Sequence, residues 1–138
     1  CGPPSMYAHL KVEYSKLNLE QKYIRQEAFG ACAAAQADST SMLYQLTVSI
    51  RGESRTIPAR ADETMLVALE RAGVPAPSHC RSGECGWCRA RLTSGETFMT
   101  QEDLEKLREA DRTYGFTHPC CAYPRSDIAL EVFAETIK

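Results

Sequence analysis

The chain has 138 residues and a mass of 15.3 kDa, room for one ordinary domain with a small appendage and too little for a three-domain enzyme. Hydrophobic residues make up 43% and charged residues 25%, a globular balance that excludes disorder throughout. Lysine and arginine number 16 against 18 aspartates and glutamates, so a formal charge of -2 gives no general attraction to nucleic acid or anionic lipid. No apolar run reaches the roughly 18 residues of a membrane helix, and no basic-then-apolar leader opens the chain. The expectation is a soluble, cytoplasmic protein with no nucleic-acid partner and no membrane segment. The chain opens on Cys1 rather than methionine, which predicts a piece of something longer.

From Ser5 to Leu19 the apolar residues Met6, Leu10, Tyr14 and Leu17 recur at helical spacing, predicting an amphipathic helix. Ile24 to Phe29 reads as a short strand ended by Gly30. One helix and one strand cannot close a core of their own, so residues 1–29 are expected to lean on something outside the chain, the competing reading being a docked terminal arm. Residues 30–42 are mostly small or polar without periodicity and predict a linker.

From Tyr44 the pattern changes to alternation: Tyr44, Leu46, Val48 and Ile50 share one face of a half-buried strand. Gly52 marks a turn, and Thr56-Ile57-Pro58 makes the second strand of a hairpin, its proline favouring an edge. Asp62 precedes a helix bearing Leu66 and Leu69, stopped by Gly73 and Pro75. A loop rich in glycine, proline and cysteine follows to Trp87. Arg89 to Thr93 is a strand, Thr100 caps a charged helix carrying Leu104 and Leu107, and Ile128, Leu130 and Val132 alternate in a last strand. Strands with helices laid across one face predict an α+β fold with a mixed sheet over residues 43–138. The run Glu102-Asp103-Leu104-Glu105-Lys106 reads as a solvated helix face.

Seven cysteines, an odd number, cannot all pair within one chain. Cys80, Cys85 and Cys88 follow one another at intervals of four and two intervening residues, and a gap of 31 residues leads to the adjacent Cys120 and Cys121. In a reducing compartment such a set binds metal more often than it forms bridges. Gly83 and Gly86 permit the sharp turns by which one loop presents three thiolates, and such a loop aims backbone N–H groups inward at sulfur. A structural zinc site is the nearest competitor, but it usually draws on two separate short ligand pairs. Disulfides would leave the glycine-rich loop unexplained. Adjacent residues of an extended segment face opposite sides, so one of Cys120 and Cys121 is expected to bind metal and the other not. His79 and His118 are expected as exposed or hydrogen-bonded bystanders, and Trp87 as a shield over the site.

The spacing of Cys80, Cys85 and Cys88, with Cys120-Cys121-Ala122-Tyr123-Pro124 downstream, resembles the plant-type [2Fe–2S] ferredoxin domain of the β-grasp fold. The resemblance spans residues 43–138 and implies Cys80, Cys85, Cys88 and Cys120 as iron ligands, with Arg81, Ser82, Gly83 and Gly86 forming the loop around the cluster. The 31-residue gap is a little longer than usual in that family. Cys1-Gly2-Pro3, Met6 and the Glu27-Ala28-Phe29 ending are similar to the last portion of the nicotinamide-binding domain of ferredoxin–NADP reductase-like flavoenzymes. That second resemblance implies a helix–strand remnant of a nucleotide-binding α/β domain over residues 1–29, with Cys1 near the nicotinamide in hydride transfer and Phe29 near the flavin. Together the two imply a parent oxidoreductase using NAD(P)H and FAD, whose own nucleotide-binding domains are partners of the cluster domain and which passes electrons to an unidentified protein acceptor. A stand-alone ferredoxin and a cluster-free β-grasp interaction module are the alternatives.

Overall fold

The computed structural model describes residues 4–17 and 42–133. The expected strand at 24–29, the linker up to residue 41, Cys1, Phe29 and the last five residues lie outside that description. The first helix, α1, runs Pro4–Ser15, with Met6 and Leu10 half-buried. Tyr14 and Leu17, assigned to its apolar face, are exposed among the described residues. None of the described helices is long and apolar enough to cross a membrane.

The domain begins with a hairpin of β1 (Leu43–Ile50) and β2 (Glu53–Arg60). The two-residue turn between them, Arg51-Gly52, has positive φ at both positions, 54° and 83°. A double left-handed turn of this kind matches the twist of the flanking strands. Leu46 and Val48 of β1 and Ile57 and Ala59 of β2 point into the core, as alternation requires. Pro58 lies on β2, which is an edge strand, where its missing N–H interrupts no ladder.

Helix α2 (Met65–Arg71) buries Met65, Leu66, Ala68 and Leu69. Its N-cap is Thr64, whose hydroxyl accepts from Val67 N–H at 3.4 Å; Asp62 instead pairs with Arg60. At the other end Val74 N–H donates to Leu69 O and Gly73 N–H to Glu70 O, both at 2.9 Å, with Gly73 at φ 66°. This is a Schellman closure, and Leu69 and Val74, the two positions that accompany it with an apolar contact, both belong to the buried core.

Beyond the cysteine loop come β3 (Ala90–Ser94), β4 (Thr97–Phe98), α3 (Gln101–Lys106), α4 (Glu109–Thr113), β5 (Phe116–Thr117), β6 (Tyr123–Pro124) and β7 (Ile128–Val132). The main sheet has the order β2-β1-β7-β3-β5 and is mixed: β1 and β7 are parallel, the other pairs antiparallel. β4 and β6 form a separate two-stranded ribbon. Ile128, Leu130 and Val132 of β7 complete the core beneath α2. Each large aliphatic side chain so buried contributes about 1.5–3 kcal/mol.

The segment 100–117 departs from expectation. Thr100 caps α3, accepting from Asp103 N–H at 3.2 Å and donating to its carboxylate at 2.6 Å, but α3 is only six residues long. Leu104 is 38% exposed, whereas Asp103, read as solvated, is 4% exposed. The inward face of α3 thus carries Asp103 and Lys106, and Leu107 reaches the core only after the helix has ended.

Candidate metal centre

The cysteine loop is shaped by three left-handed residues within six positions: Arg81 (φ 59°), Gly83 (φ 80°) and Gly86 (φ 68°). Arg81 adopts this conformation without being glycine, a costly choice for an L residue. Its guanidinium is anchored to Glu70 of α2 by two hydrogen bonds, at 2.5 and 3.1 Å. Gly83 has no spare room. A Cβ there would stand 3.0 Å from Cys121 Sγ and 3.4 Å from Lys106 Cδ.

These turns aim amides at sulfur. Ser82 and Cys85 N–H groups donate to Cys80 Sγ at 3.5 and 3.4 Å, and Trp87 N–H donates to Cys85 Sγ at 3.4 Å. Burial raises the Cys80 thiol, but the hydroxyl and amide of Ser82 and the Cys85 amide outweigh it and bring the group down to about 6.

The downstream cysteines lie in a turn, with Cys121 N–H donating to His118 O at 2.9 Å. Because the turn is not extended, the two side chains do not part to opposite faces: both are buried, their sulfurs 3.6 Å apart. Cys120 is the one that meets the loop, its Sγ 3.4 Å from Cys88 Sγ. One proton shared between those sulfurs lowers the Cys88 thiol and raises that of Cys120, and burial pushes Cys120 up further.

Among the described residues no three Cys, His, Asp or Glu side chains crowd around one point. The cysteines instead meet two by two, Cys88 with Cys120 through their sulfurs and Cys80 with Cys85 through an amide. Four soft donors in two pairs, with N–H groups already directed at sulfur, fit a two-iron centre with two thiolates per iron.

Two side chains differ from their sequence reading. His118 is 2% exposed and neither ring nitrogen has a hydrogen-bond partner among the described residues, which departs from the expected exposed or bonded bystander; burial lowers its pKa. It stands behind Gly86, its Nε2 3.6 Å from where a Cβ would be. His79 is exposed, as expected. Trp87 is 60% exposed and shields little, lining an open depression with Pro75, Pro77 and Phe133. Sequence reasoning also missed Lys106, which donates to Ser82 O inside the loop at 3.0 Å, and the supports Glu70 and Asp111. Asp111 is buried and holds Arg89 at 3.1 Å, the guanidinium resting 4.4 Å above the Phe116 ring. An apolar-pattern search has no signal for a charged residue that turns inward.

The chain is similar to Ferredoxin-2 of Synechococcus sp., at 38% identity over 92 residues covering 67% of this chain and 86% of that ferredoxin. It is 25% identical to the glycine betaine monooxygenase reductase subunit of Chromohalobacter salexigens, covering 95% of this chain and 39% of that subunit. Among solved structures, phthalate dioxygenase reductase matches 97% of this chain at a TM-score of 0.57 and 25% identity; the chain spans 38% of that reductase. Residues 48–125 match the 2Fe-2S iron-sulfur cluster binding domain, and with the cysteine pairs and the mixed sheet already in place, the chain belongs to that family.

Proposed function

We propose that Cys80, Cys85, Cys88 and Cys120 hold a [2Fe–2S] cluster and that residues 43–138 form the electron-carrying domain of a longer NAD(P)H- and FAD-dependent oxidoreductase. The observation that carries this reading is the approach of Cys120 Sγ to Cys88 Sγ at 3.4 Å, which joins the distant cysteine to the loop. When bound, such a cluster takes up one electron at a time, at a potential of about -400 mV for the plant type. The chain's own part is to supply four thiolates, to aim the Ser82, Cys85 and Trp87 amides at them, and to exclude water from Cys88 and Cys120. Fixed N–H dipoles favour the more negative, reduced state.

The extent of likeness supports the longer parent. The ferredoxin match takes in 67% of the chain, while the two reductase matches take in 95% and 97% and so extend into its first residues. On this reading residues 1–29 are the end of a nicotinamide-binding domain, residues 30–42 a linker, and the acceptor a separate protein; an oxygenase component, as the names of both reductases suggest, is the first to try. A cytoplasmic location is one in which the free thiols of Cys80, Cys85, Cys88 and Cys120 stay reduced for iron.

The test is iron and acid-labile sulfide analysis of anaerobically reconstituted protein, with electron paramagnetic resonance after dithionite reduction. Two irons, two sulfides and a rhombic signal are expected, lost in Cys120→Ser and kept in Cys121→Ser. Absence of both iron and sulfide from the unsubstituted protein overturns the reading.

A further inference from the structure

Lys106 closes the last turn of α3, yet its side chain is only 18% exposed. Its ammonium donates to Ser82 O and to Asp103 Oδ1, each at 3.0 Å, and stands 3.7 Å from Glu84 Oε1. Its stem passes Gly83, with Cδ 3.4 Å from the place of a Cβ. Three consecutive residues of the cysteine loop, Ser82, Gly83 and Glu84, therefore rest on this one side chain. The ion pair with Asp103 is oriented. Asp103 is tied back to Thr100 at the start of α3, so the carboxylate faces the helix and the ammonium faces the loop. A charge in so dry a position is weakly screened.

We propose that Lys106 is a positioning residue for the cluster loop whose fixed positive charge also raises the reduction potential of the centre. This rests on the cluster reading above. Reduction adds one electron and makes the centre one unit more negative, with no bond made or broken and no proton required. A nearby cation stabilises that added charge, and a nearby anion opposes it. Lys106 and Asp103 must then act with opposite signs, an outcome that a purely structural contact does not produce.

The experiment is a dithionite titration of the whole reconstituted chain, followed by electron paramagnetic resonance, for the unsubstituted protein, Lys106→Gln, Lys106→Arg and Asp103→Asn. Glutamine keeps a donor for Ser82 O and removes the charge. At a fixed applied potential, Lys106→Gln is expected to shift the ratio of reduced to oxidised centres about tenfold towards oxidised, a midpoint lower by about 59 mV for one electron. Lys106→Arg should stay within about threefold of the unsubstituted protein, and Asp103→Asn should shift towards reduced. A Lys106→Gln ratio unchanged within about twofold, or displaced towards reduced, overturns the proposal. Should Lys106→Gln fail to retain iron, Asp103→Asn decides: a shift towards reduced supports the role and no shift overturns it. An unsubstituted chain that takes up neither iron nor sulfide instead overturns the cluster reading beneath it.

Discussion

Replacing Gly83 by alanine separates two costs that the structure predicts independently. The first is conformational. Gly83 has φ 80°, and holding an L residue in the left-handed region costs about 1–2 kcal/mol. The second is steric: the new methyl would stand 3.0 Å from Cys121 Sγ, which is fully buried, and 3.4 Å from Lys106 Cδ. Overpacking a closed site of this kind costs about 1–3 kcal/mol more. Gly52 is the internal control, with φ 83° and nothing within 4 Å of its Cβ position, so Gly52→Ala should show the conformational cost alone. Thermal unfolding followed by circular dichroism at one scan rate is the assay, and each kcal/mol corresponds to about 4–8 °C in a domain of this size. Gly83→Ala should melt well below Gly52→Ala and shed its visible absorption first. Equal melting temperatures for the two variants would refute the close packing of the loop against Cys121 and Lys106.

Cys80 in the metal-free protein should be the first of the four site cysteines to alkylate, with iodoacetamide rates rising through a midpoint near pH 6; a midpoint above pH 8 would refute the amide cradle. A thiol depressed on folding stabilises the native state above the unfolded value of about 8.5 and loses that contribution as pH falls through about 6. Metal-free protein should therefore be more stable at pH 8 than at pH 5.5, a difference that Cys80→Ser reduces. Thr64→Ala removes the cap of α2 and should cost about 1 kcal/mol in denaturant unfolding, while Asp62→Ala, at the position the sequence favoured for starting the helix, should cost measurably less.

What the sequence made legible was whatever has a period or a fixed spacing. β1 and β7 were readable because Leu46, Val48, Ile128, Leu130 and Val132 alternate with polar neighbours and are buried. The end of α2 was readable because a left-handed glycine follows it. β4, β5 and β6 were not, since a two-residue strand contains no alternation to detect. Cys80, Cys85 and Cys88 stood out by spacing, and Cys120 was preferred to Cys121 only through the family resemblance; the geometry at Cys120 and Cys121 was not legible, because the opposite-faces rule presumes extended backbone and the segment is a turn. Asp103, Lys106 and His118 were misread for a common reason. Burial of a polar residue is decided by long-range partners or by enclosure, and a local sequence pattern contains neither.

The two halves of the site are far apart in the chain, and α2 bonds to both. Its first amides donate outward: Met65 N–H to Ala122 O and Leu66 N–H to Pro119 O, both at 2.9 Å. These bonds satisfy donors that a helix start leaves without intrahelical partners, and they clamp the turn holding Cys120 and Cys121 from both sides. Near its other end Glu70 grips Arg81 in the cysteine loop. The apolar face of the same helix is sunk in the core through Leu66 and Leu69, so the backbone grip on the turn is fixed by packing, while the partly exposed Arg81–Glu70 pair is a weaker tether. The turn that carries Cys120 is thus held on a buried helix by two backbone hydrogen bonds. Of the three residues at positive φ in the loop, Arg81 is the non-glycine one and so the costly one, and it is the residue that the helix holds through Glu70.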